Sequence, residues 1–271
     1  MAFTVTSSAT ASNRSIKYVD AKPQETNVSV IQRLAPRDGV LLIGGSRVGD
    51  FRIRVAQSHL RHDLLPSYWS AAGVLRGAKT VATVGLGTWR DVSDVPSQNA
   101  IETVDLQVFD DPQRYPNIAV LQFSESIEPA LAAVERLKKR RSVIDLPDLV
   151  LAWLGFVWSA GDRTNPVLSG KGVPSAALVE TAFAMAGVEL TPGLASGASC
   201  PEAIWQAAKW WHGFYSEAAE RTAKTPTKAE RERVTRATVP RGYAVLRQPG
   251  AAVLESSDGA SRARGRRSSR T

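Results

Sequence analysis

The chain carries hydrophobic residues in two different periods, and the change between them divides it. Gly39-Val40-Leu41-Leu42-Ile43-Gly44-Gly45 is a continuous apolar run bracketed by glycines and predicts a buried strand. Asp50-Phe51-Arg52-Ile53-Arg54-Val55 alternates with period two and predicts a second. Further strands are predicted at 69–75, 79–84, 101–109 and 118–123, separated by Gly, Asp, Pro and Asn, so this half reads as a meandering, mostly antiparallel sheet. From Ser126 the spacing becomes helical. Ile127, Leu131, Val134 and Leu137 share one face, and Lys138-Lys139-Arg140-Arg141 follow where a helix C-terminus favours cations. A second helix is predicted over 145–158, with Leu149, Trp153 and Phe156 on one face. Pro174-Ser175 opens a third over 176–186, stopped by Gly187. Ser199-Cys200-Pro201-Glu202 has the Ser-x-x-Glu form of a capping box opening a fourth over 203–215.

The chain has 271 residues, 43% of them apolar, and seven tryptophans, enough to bury a core and to exclude a wholly disordered protein. One cysteine, Cys200, excludes an internal disulfide, and three histidines (His59, His62, His212) leave little material for a zinc site. No metal or cofactor is expected, because Gly44-Gly45-Ser46 and Gly85-Leu86-Gly87 lack the Lys-Ser/Thr or third glycine of phosphate-binding loops. The first residues lack a basic segment followed by an apolar one. The longest apolar stretch, near 149–157, falls short of the about 20 residues that cross a bilayer. The chain therefore reads as cytoplasmic with no membrane partner.

Charge sharpens the division. The formal net charge is +8, yet residues 221–271 hold 13 Lys and Arg against 4 Asp and Glu, and the remainder is close to neutral. The expected organisation is a loosely ordered N-terminal arm (1–37), an α+β domain of mostly antiparallel sheet packed with helices (38–215), and a charged helix or linker ending in a disordered basic tail (216–271). A cut after residue 240 is expected to spare the fold. Five arginines within 262–270, interleaved with Ser and Gly, suit nucleic acid or an acidic partner; a solubilising end accounts for them equally well.

Two predicted helix starts carry a nucleophile-type residue, where free N–H groups and the helix dipole favour a developing anion. Ser175 reads either as a nucleophile at a turn-to-helix junction or as an ordinary N-cap. Cys200 reads either as a thiol activated in a first helical turn or as an inert, partly buried side chain. The candidate bases are His62 and His59, three apart on a polar segment, which read equally as surface residues. His212 ends an amphipathic helix and complements its dipole.

The order of these elements supports one resemblance. Ser-Tyr-Trp-Ser-Ala-Ala-Gly-Val-Leu (67–75), Tyr-Pro-Asn-Ile-Ala-Val-Leu (115–121), Val-Pro-Ser-Ala-Ala-Leu-Val-Glu-Thr-Ala-Phe (173–183) and the following Cys-Pro-Glu-Ala-Ile-Trp together resemble the circularly permuted papain-like hydrolases of the NlpC type. In that family a Gly-Asp strand precedes a Ser-His strand, and a nucleophilic Cys later opens a helix of the pattern Cys-Ser-x-Leu-Val. Gly49-Asp50 matches the first element and Ser70 the Ser, while the His falls on Ala71. Ser175 falls on the Cys, with Ala176 and Ala177 replacing the next two residues and Leu178-Val179 retained. The resemblance spans about residues 38–215 and implies a permuted papain-like domain without its catalytic pair. It would act as a binding or interaction module for a peptide or small carboxylate-bearing ligand. The alternative it leaves open is an amide or ester hydrolase using Ser175 or Cys200 with His62 or His59 as base.

Overall fold

The apolar run of the first half forms strand β2 (Gly39–Gly44), buried along its whole length. A strand without a polar face needs cover on both sides, and the sheet around it supplies that arrangement. The computed structural model describes residues 16–22, 24–35, 37–86, 99–123, 126–139, 146–158, 164–222 and 241–248, with side chains of the last helix described to Trp211. Among them β1 (Ile16–Tyr18), β3 (Ala71–Arg76), β4 (Thr80–Val84), β5 (Ile101–Asp105), β6 (Asn117–Gln122) and β7 (Arg241–Leu246) join β2 in the order β1-β7-β6-β2-β3-β4-β5. Every neighbouring pair is antiparallel except β1 and β7, which run parallel.

The period-two alternation of side chains splits the core in two. Val40, Leu42, Ala72, Val74, Ala82, Val84, Ala119 and Leu121 point to one face, under helices α3 (Glu128–Lys139), α4 (Leu146–Val157), α5 (Pro174–Met185) and α6 (Pro201–Thr222). Leu41, Ile43, Ala71, Leu75, Val81, Ile118 and Val120 point to the other. Helix α1 (Asn27–Leu34) covers that face with Val28, Val30 and Ile31, together with Leu106 and Phe109 of a short 3-10 turn. The fold is therefore α+β with a mixed sheet.

Four expectations are corrected. Residues 50–55 are not a strand but part of helix α2 (Val48–Ala56), so Gly49-Asp50 sits in a helix and does not supply a Gly-Asp strand. The strand expected over 101–109 stops at Asp105, whose carboxylate caps the 3-10 turn Leu106–Phe109 by accepting from the Gln107 N–H. The described fold reaches beyond 38–215 on both sides. At the N-terminal end, β1 pairs with β7, and the buried Asn27 side chain donates to the carbonyls of Phe109 and Tyr115 at 2.8 Å. At the C-terminal end, β7 lies inside the sheet, and Arg247 donates to the Asn27 side chain and the Glu25 carbonyl. A cut after residue 240 therefore removes the strand that joins the edge strand β1 to β6. The arginine-rich segment 262–270 lies outside the described residues.

Candidate functional site

Helix α5 begins with Pro174, whose fixed φ and missing N–H suit a first helical turn. Ser175 follows, 2% exposed, and its Oγ accepts the backbone N–H of Ala72 at 3.1 Å. The sheet accounts for this contact. Strands β3 and β4 pair only from Val74 to Arg76, so the polar groups of Ala72 that face β4 have no ladder partner there. Two side chains take them up: Ser175 receives the N–H, and the Thr83 hydroxyl donates to the Ala72 carbonyl at 2.7 Å. The start of α5 is thus wedged where the two strands part. On the opposite face Gly73 lets β3 lie close against β4, since a Cβ there would meet Val81 Cγ1 at 2.3 Å.

Face parity decides which of the two neighbouring alanines meets Ser175. Ala72 belongs to the cluster under α5, whereas Ala71 belongs to the cluster under α1 on the opposite face. The residue facing Ser175 is therefore Ala72, one position from the alanine that the resemblance selects. Both positions are alanine, so neither supplies a proton acceptor.

Cys200 is buried at the start of α6, and desolvation pushes its thiol up to about 12, the reverse of the activation a first helical turn can give. The capping box does not form. Ser199 Oγ is buried with no hydrogen-bond partner among the described residues, and the Glu202 N–H instead donates to Gln57 Oε1 at 2.9 Å. The cap of α6 thus comes from the end of α2, and Gln57 Nε2 donates to the carbonyls of Ile53 and Trp69. The Glu202 carboxylate accepts from Ser67 Oγ at 2.6 Å and from Gln206, with Arg61 4.0 Å away. Burial raises its pKa above the ordinary carboxylate range.

His59 and His62 stand exposed on the turn after α2, and among the described residues neither hydrogen-bonds Ser175 or Cys200. His212 lies within α6, its side chain outside the described ones. No group of three or more His, Cys, Asp or Glu able to hold a metal ion occurs among the described residues. No described helix is long and apolar enough to cross a membrane.

A further buried acid lies beneath the Gly44-Gly45 turn. Asp50 Oδ1 accepts from Ser70 Oγ at 2.9 Å, and Ser70 Oγ accepts the Gly45 N–H at 3.1 Å. Desolvation raises Asp50 to about 6, against the opposing pull of the Ser70 hydroxyl and of Arg114 and Arg47. Beside it the fully buried Arg54 donates to the Ser67 carbonyl at 2.7 Å.

Two open grooves lie away from Ser175. One, about 770 Å³, runs between Asp148 and Leu149 of α4, Thr181 and Met185 of α5, and the 195–198 turn, with Lys171 on its rim 3.4 Å from Asp148. The other, about 530 Å³, lies between Pro192 and the Gln206–Trp210 face of α6. Thr83, Ala72 and Gln57 are not singled out by the sequence, and Glu202 only as the acid of a capping box, because each acquires its role from a partner distant along the chain. Compared in turn with protein families, with curated proteins and with solved structures, the chain matches none.

Proposed function

We propose that this chain is a catalytically degenerate papain-like domain that serves as a binding or interaction module. One observation carries the reading: the side chain at the mapped nucleophile position, Ser175, is buried and engaged with the Ala72 N–H, with alanine on the strand beside it. A serine hydroxyl without a neighbouring base is a poor nucleophile. Away from Ser175 the surface retains room for a ligand: the groove between α4 and α5 offers an extended peptide an apolar wall, with the Lys171–Asp148 pair on its rim.

The test is chemical. The folded protein, incubated separately with a fluorophosphonate and with an iodoacetamide probe, is expected to yield no adduct at Ser175 or Cys200. Fluorophosphonate labelling of Ser175 that disappears in His62→Ala would overturn the degenerate reading in favour of a hydrolase.

A further inference from the structure

We draw no further inference here: the strongest candidate, the groove between Pro192 and the Gln206–Trp210 face of α6 with Trp210 exposed on its wall, is an apolar surface, and nothing in the structure shows what covers it.

Discussion

Ser175 Oγ accepts the Ala72 N–H at 3.1 Å across the gap where β3 and β4 separate, so a helix side chain stands in for a missing rung of the sheet. Removing that acceptor leaves a buried donor unsatisfied. Ser175→Ala is expected to lower unfolding free energy by roughly 1–3 kcal/mol, read from urea denaturation. Thr83→Val, which strips the other group of Ala72 of its partner, should cost a similar amount. Unchanged stability in both variants would remove the wedge from the account of the fold.

Asp50 gives the protein an unusual response to pH. Its folded pKa, about 6, lies above the ordinary value of 3.8, so between these pH values the folded state binds a proton that the unfolded state has lost. The contribution of Asp50 is fully present below about pH 4 and is lost as pH rises through about 6. Burial moves Glu180 and Glu202 in the same direction. Asp50→Asn should flatten the decline between pH 4 and 7 and stabilise the protein near pH 8 by on the order of 2 kcal/mol. Chemical denaturation across that range is the measurement, and a decline as steep as that of the wild type would refute the assignment.

Cys200 should be silent in the folded state. With its thiol near 12, about one molecule in ten thousand is thiolate at pH 8. Alkylation by iodoacetamide is therefore expected to follow global unfolding, rising sharply only at the urea midpoint, and fast alkylation of native protein would contradict the buried placement.

Gln57 caps helix α6 through Glu202, 145 residues further along the chain. Gln57→Ala removes one acceptor and two donated hydrogen bonds, all buried. A loss of roughly 2–4 kcal/mol is expected, since each unsatisfied buried group costs about 1–3 kcal/mol and the losses overlap. Hydrogen exchange should also quicken in the first turn of α6. Ser199→Ala, at the position a capping box would use, should change stability by about 0.5 kcal/mol or less, because Ser199 Oγ has no partner to lose among the described residues.

Much of the fold is legible in the order of residues where hydrophobic period and burial coincide. Helices α3, α4 and α5 begin and end within a few residues of the expected positions because their buried faces are apolar. Helix α2 defeats the same reasoning. Its buried positions, Asp50, Ile53, Arg54 and Ala56, with the C-cap Gln57, lie on one helical face, but three of these five are polar, and the apolar residues Phe51, Ile53 and Val55 alternate by coincidence. Strand β7 is hidden differently, as a short segment after a long charged stretch whose neighbours, β6 and β1, lie far away in sequence. At the candidate site, Pro174-Ser175 marks the helix start clearly. The choice between Ala71 and Ala72 requires knowing which face each strand residue takes, and a one-residue slip exchanges the faces.

The place of β7 also governs how a newly made chain reaches its final form. During synthesis, residues 16–18 leave the ribosome early, yet they wait until residues 241–246 emerge, about 220 residues later, for their partner in the sheet. Until then the outer edge of β6 stays bare, open to pairing with whatever extended segment it meets. Vectorial translation can build the middle of this protein but not finish it, and a nascent chain stalled before residue 241 is the species most in need of a chaperone.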